Sequence, residues 1–465
     1  YRSRDNGKHE RNLGDIVNSP IVAVGGYLAT AANDGMVHIF KKNGGSDERS
    51  YNLKLSYIPG TMPRKDIESK DSTLAKELRA FAEKGYVGDR YGVDGGFVLR
   101  EVERGGKKHV FMFGAMGFGG RGAYALDLSK IDSGNGNLAD VSLFDVKNGN
   151  NGKNSNNSNN SVQLGYTVGT PQIGKTHNGK YAAFLASGYA TKDINSTENQ
   201  TALYVYDLEN NNGTPIAKIE VKDGKGGLSS PTLVDKDLDG TIDIAYAGDR
   251  GGKMYRFDLS SQSPDQWTVR PIFEGTKPIT SAPAISQLKD KRVVIFGTGS
   301  DLSEDDVDKM DEQYIYGIFD DDTETTGSVN FSGTGGGLLE QHLTQENKTL
   351  FLTDYKRSDG SGSKGWMVKL QPGQRVTVKP TVVLRTAFVT IRKYTDNGCG
   401  AETAILGINT ADGGKLTKKS ARPIVPAANS KVAQYSGDKK TSSGKSIPIG
   451  CMEKDNGIVC PNGYV

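Results

Sequence analysis

The chain has 465 residues, 60 of them Gly and 20 Tyr, and this composition belongs to a turn-rich β protein and leaves little room for long helices. Its 58 basic and 55 acidic residues leave a net charge of +3, too near balance for a nucleic-acid or membrane-surface protein. No run approaches the roughly eighteen apolar residues of a membrane helix, and YRSRDNGKHE is no signal peptide, so a chain opening on Tyr1 reads as a fragment or processed form of something longer.

In chain order, the sequence repeats one unit: Ser/Thr-Pro-x-apolar, a short turn, an apolar strand ending in Gly, then a strand closing on a YxxDL-like sequence. The first copy spans about 19–40, where Asn33-Asp34-Gly35 signals a tight hairpin. An insertion follows over about 41–94. Within it DSTLAKELRAFAEKG predicts a helix, capped by Asp71 or Ser72, lined by Leu74, Leu78 and Phe81 and closed by Gly85.

The second copy covers about 95–129. Its FGAMGFGGRG lacks the Lys-Ser/Thr ending of a phosphate loop and reads as a turn between strands. The polar, low-complexity run 148–161 has nothing to bury. Further copies are expected at about 170–208, 230–260 and 281–320, with degenerate ones at 349–370 and 384–414, followed by a basic, solvated segment over 415–465. Acids dominate 301–324, which reads as a solvated loop, with a weaker second cation site as the alternative. Seven such units of antiparallel strands point to an all-β propeller, because each small sheet is apolar on both faces and must stack against its neighbours.

The fourth copy carries the sharpest chemistry. Asp235, Asp237 and Asp239 occupy positions 1, 3 and 5 of an EF-hand-like loop, Gly240 makes the turn at position 6, Thr241 offers its backbone carbonyl at position 7, and Asp243 falls at position 9. Carboxylates crowded this closely repel one another unless a cation sits among them. Position 12 is Tyr246 where an EF-hand needs Glu, and TIDIAYAG alternates with a two-residue period, so the loop is expected to lead into a strand. Oxygen-only donors select Ca²⁺ over zinc, and Mg²⁺ prefers fewer protein ligands.

No catalytic Ser-His-Asp or Cys-His set stands out, and the five histidines are scattered without ligand spacing. Cys451 and Cys460 flank a turn at Asp455, Asn456 and Gly457 that would bring their sulfurs within reach; pairings that involve Cys399 are equally legal.

With DGMVHIF at 34–40, YGVDGGF at 91–97, FGAMGFGGRGAYALDLS at 113–129 and the loop running into AYAGDRGGKMYRFDLS, the chain resembles, from about Asn18 to Gly414, the C-terminal domain of the PilC/PilY family of type IV pilus proteins. That resemblance implies a modified seven-bladed β-propeller with quinoprotein-like blades, the helical insertion read from 41–94 then falling between the first two, and Ca²⁺ held by Asp235, Asp237, Asp239, Asp243 and the carbonyl of Thr241. It implies a non-enzymatic role in pilus biogenesis and virulence: supporting extension against retraction, cell adhesion, placement at the pilus tip and outer membrane after passage through the periplasm, and partners among pilins, minor pilins and a host-cell receptor. Two rival readings are a dehydrogenase propeller that binds pyrroloquinoline quinone with calcium and a binding module whose calcium is purely structural. The dehydrogenase reading needs an aromatic platform, for which the chain offers only Trp267 and Trp366.

Overall fold

A computed structural model describes residues 13–44, 50–62, 91–133, 136–149, 162–194, 196–209, 213–322, 329–330, 337–346, 349–356, 362–416, 422–426, 452–454 and 457–459. The helix expected over 71–85, the low-complexity run from residue 150 to 161, most of the basic C-terminal segment, Cys451 and Cys460 lie outside the described residues. The described residues are all-β, with short 3₁₀ turns and no α-helix, and none of their helices is long and apolar enough to cross a membrane.

The strands fall into small antiparallel sheets. The first is β1 (Ile21–Val24), β2 (Tyr27–Ala32), β3 (Met36–Lys42) and β4 (Tyr51–Tyr57); the second is β5 (Phe97–Arg104), β6 (Lys107–Ala115), β7 (Ala123–Asp127) and β8 (Ser142–Val146). The third is β9 (Gln172–Lys175), β10 (Tyr181–Ala186), β11 (Ala202–Asp207) and β12 (Ala217–Glu220). The fourth is β13 (Thr232–Val234), β14 (Ile244–Gly248), β15 (Lys253–Asp258) and β16 (Thr268–Glu274). Each runs in simple up-and-down order, because turn residues join neighbours directly: Gly35, at φ 82°, closes the β2–β3 hairpin expected at Asn33-Asp34-Gly35.

Next come β17 (Ala284–Gln287), β18 (Arg292–Gly297) and β19 (Tyr314–Asp320), then the two-residue β20 (Val329–Asn330), which adds in parallel to β16. They are followed by β21 (Leu338–Glu346), β22 (Thr349–Leu352), β23 (Gly365–Lys369), β24 (Thr381–Val383), β25 (Thr386–Thr395), β26 (Gly400–Asn409) and β27 (Arg422–Pro426). A hairpin of β28 (Met452–Lys454) and β29 (Gly457–Val459) ends the described chain.

The stretch 349–370, expected as a unit of its own, does not form a separate sheet. β23 is the fourth strand against β19, whereas β22 pairs with β21 and β27, so one ten-stranded order runs from β17 to β24. The reason lies in Gly317, which stands opposite Trp366 on β23: a Cβ there would meet the indole at 2.1 Å, so β19 is shaped to receive that particular strand.

The chain divides into two compact units, Tyr1–Ala245 with Phe257–Val269, and Tyr246–Arg256 with Arg270–Val465. In the first, β6 shows why the sheets must stack. Phe111, Phe113 and Ala115 join one core with Leu185, Tyr204 and Tyr206 of the third sheet, while Val110 and Met112 join another with Ala29, Ile39 and Val37 of the first. A period of two sends alternate side chains to opposite faces, and here both faces are buried. In the second unit a core gathers Val293, Ile295, Ile315, Trp366, Val389 and Leu406.

Candidate metal centre

The aspartate loop lies within the first unit and connects β13 to β14, so it does lead into a strand, Ile244 being the first strand residue. Its shape is held by its own carboxylates. Asp235 accepts from the backbone N–H of Asp239 at 3.2 Å and of Gly240 at 2.8 Å, folding the chain back across the loop. Asp239 Oδ1 accepts from the backbone N–H of Thr241 at 2.8 Å and from its hydroxyl at 2.7 Å. The turn needs two left-handed residues: Gly240 at φ 89°, and Leu238 at φ 57° with a side chain 88% exposed.

Asp235, Asp237, Asp239 and Asp243 each present an oxygen within 4.8 Å of all the others. Oxygens about 2.4 Å from one ion lie at most about 4.8 Å apart, so this cluster is compatible with a single hard cation. Thr241 is placed between them in sequence, with its side chain turned to Asp239. Three of the four carboxylates are exposed or half-buried, whereas Asp243 is only 3% exposed.

The electrostatics carry the mark of the crowding. Partial loss of hydration and then the charges of Asp243 and Asp239, with a hydrogen bond to Asp235, raise the Asp237 carboxyl above its usual range. The hydroxyl and N–H of Thr241 hold Asp239 below it.

Sequence spacing gave no hint of His177. Its Nε2 lies 2.7 Å from Asp243 Oδ1 and 3.4 Å from Thr241 Oγ1, while Lys236 N–H donates to Asp243 Oδ2 at 2.8 Å. His177 sits in the β9–β10 turn, the corresponding turn of the preceding repeat, and Ile242 N–H donates to Lys175 O at 2.8 Å beside it. The signal was in the repeat register: laying Thr170-Pro171 over Ser230-Pro231 brings the two turns to the same place in their units.

The acidic run of 301–324 is not simply solvated. Asp306 is fully buried, with Oδ2 accepting from Ser300 Oγ and the N–H groups of Leu302 and Ser303, and Oδ1 from Lys309 Nζ at 3.0 Å. Asp320 on β19 takes Arg256 Nε at 2.9 Å and the Tyr246 hydroxyl, and Asp322 bonds Arg256 and Arg292. Arginines buried nearby are what draw these acids inward. The two tryptophans offer no cofactor platform: both are buried, Trp366 donating to Thr410 O at 2.8 Å and Trp267 to Ser261 O at 2.9 Å. Loop 116–122 joins β6 to β7, as its glycines suggested.

Comparison with known proteins agrees with this architecture. The family described as the PilY1 beta-propeller domain matches residues 13–356. The chain is 29% identical over 422 residues to the type IV pilus biogenesis factor PilY1 of Pseudomonas aeruginosa strain PAK, covering 76% of this chain and 33% of that protein. It is 27% identical over 418 residues to a PilY1 homolog of Xylella fastidiosa strain Temecula1, covering 85% and 29%. The chain therefore spans about a third of the length of the curated relatives it matches. The crystal structure of the Pseudomonas aeruginosa PilY1 C-terminal domain superposes with a TM-score of 0.62 at 21% identity, over 94% of this chain and 87% of that one, and shows the same propeller-type fold. With the family match extending over most of its length, the chain belongs to the PilY1 β-propeller domain family of type IV pilus biogenesis factors.

Proposed function

We propose that this chain is the calcium-binding propeller of a pilus biogenesis factor, without catalytic activity, and that the 235–243 loop is its metal site. The convergence of four carboxylate oxygens within 4.8 Å, with His177 as the one basic side chain bonded to them among the described residues, carries the reading. Bound Ca²⁺ would be ligated by Asp235, Asp237, Asp239, Asp243 and the carbonyl of Thr241, and would supply the positive charge that lets the loop keep one conformation. The chain's own part is to pre-shape that loop: Asp235 ties its two ends, Asp239 fixes Thr241, and His177 with Lys236 N–H orients Asp243. In the cell the loop would act at the surface, at the pilus tip or outer membrane, where it meets external calcium. There it supports extension against retraction, contact with pilins and minor pilins, and attachment to host cells.

The test couples binding to pilus behaviour. Calcium titrated into the purified chain should raise its melting temperature, since a ligand at a hundredfold its Kd adds about 2.7 kcal/mol. Asp235→Ala and Asp243→Ala should abolish that shift and, introduced into the full-length protein, reduce surface piliation. Normal piliation with a site proven unable to bind calcium would refute the functional part, and a melting temperature indifferent to both calcium and chelator would refute the site.

A further inference from the structure

Independently of the aspartate loop, the second unit contains a cavity of about 180 Å³ whose lining converges donors and positive charge. We infer that it is a binding site for a small oxyanion. Four cations line it, Arg250, Lys277, Lys309 and Arg375, against two carboxylates, Asp306 and Asp311. The charge of Asp306 is already answered from within the protein: Ser300 Oγ and two backbone N–H groups donate to its Oδ2, and Lys309 to its Oδ1.

Arg375, only 4% exposed, donates to the carbonyls of Gly373, Ser300, Asp306 and Lys309 and lies over the Tyr394 ring at 5.3 Å. Among the described residues no carboxylate makes an ion-pair contact with it or with Lys277, whose charge is felt at longer range by Glu312. A buried guanidinium fixed by neutral carbonyls keeps its full charge and projects a positive potential into the space beside it.

The remaining polar wall is Gln313, 8% exposed. Its Oε1 accepts from Thr298 Oγ1 at 2.7 Å, which turns the amide nitrogen away from that hydroxyl, and among the described residues this nitrogen has no protein acceptor. An amide donor that opens onto a cavity and has no protein acceptor there is available to an acceptor held inside it. Lys277, Arg250 and the Gln313 amide thus face a volume several times the roughly 30 Å³ of one water, enough for a phosphate or a carboxylate group. Oxyanion recognition by guanidinium, ammonium and amide donors together is the chemistry this set provides.

Calorimetric titration of the full chain at constant ionic strength in chloride tests the assignment with two probes, inorganic phosphate and N-acetylglycine. Saturable binding of phosphate alone identifies a free inorganic ion; saturable binding of N-acetylglycine identifies a carboxylate terminus. In either case Lys277→Gln, a half-buried position whose loss leaves the fold intact, should weaken binding at least tenfold, and Gln313→Leu should do the same with an unchanged far-ultraviolet dichroism spectrum. Absence of saturable heat with both probes overturns the inference, as does a Lys277→Gln protein that binds like the wild type.

Discussion

The left-handed turn of the aspartate loop gives a prediction with two opposite signs. Gly240 sits at φ 89° with nothing within 4 Å of where a Cβ would stand, so Gly240→Ala introduces no clash and changes only backbone strain. An L residue held in this region costs roughly 1–2 kcal/mol, partly offset by the lower entropy of the unfolded alanine chain, leaving a loss of about 1 kcal/mol. Leu238 already bears such strain at φ 57° and, at 88% exposed, contributes no packing in return. Leu238→Gly should relieve about 1–2 kcal/mol and give back about 0.5–1 in glycine entropy, a net gain of about 0.5–1 kcal/mol. At about 2–4 °C per kcal/mol, scanning calorimetry at fixed calcium should show Gly240→Ala melting about 2–4 °C lower and Leu238→Gly about 1–4 °C higher. Because the strain is carried by the ordered loop, calcium affinity should move the same way, about fivefold weaker for the alanine. If both variants shifted in one direction, or if the alanine melted at or above the wild type, backbone strain would not be what shapes this loop.

Three further outcomes follow from contacts described above. Gly317→Ala places a Cβ against the Trp366 indole and should cost about 1–3 kcal/mol, read as a lower denaturant midpoint with altered tryptophan emission; an unchanged midpoint would mean that β19 and β23 adjust freely. His177→Ala removes the side-chain partner of Asp243 at a cost of about 1 kcal/mol and should weaken calcium binding several-fold without loss of the folded dichroism signal; equal affinity would show that Lys236 N–H alone orients Asp243. Burial alone would raise the Asp306 carboxyl, but hydrogen bonds from Ser300, Leu302 N–H and Lys309 outweigh it and hold the group below its ordinary value. A depressed folded pKa means that its stabilisation is complete above the unfolded value of about 3.9 and is lost as the pH falls through the folded one. Asp306→Asn should therefore melt well below the wild type at pH 6, with the gap closing below about pH 4; a gap constant across that range would exclude the charged carboxylate as its cause.

Local chemistry was legible in the sequence wherever the partners are close along the chain. The spacing of Asp235, Asp237, Asp239 and Asp243 around Gly240 brought four carboxylates together because a nine-residue loop cannot place them far apart. The Asn33-Asp34-Gly35 hairpin and the strand after the loop were readable for the same reason. What escaped were pairings set by tertiary packing. His177 meets Asp243 across 66 positions, and no local pattern records that neighbouring repeats align their turns. The strand at Gly365–Lys369 reads like the close of its own unit, yet the Gly317–Trp366 fit assigns it to β19. The acids of 301–324 look solvated until Arg256, Arg292 and Lys309 arrive beside them.

One link in the first unit has a mechanical consequence. Successive sheets of a stacked array are joined in sequence by one length of chain, and across each seam they are held by side-chain packing and scattered hydrogen bonds, such as Arg100 to the carbonyl of Ile173 and Thr170 N–H to Ser230 Oγ. The Ile242–Lys175 backbone bond and the His177–Asp243 contact rivet the β9–β10 hairpin to the strand beyond the aspartate loop. Tension that pulls the β9–β10 hairpin away from the aspartate loop must therefore rupture that rivet, and whatever stiffens Asp243 raises the force at which it gives way.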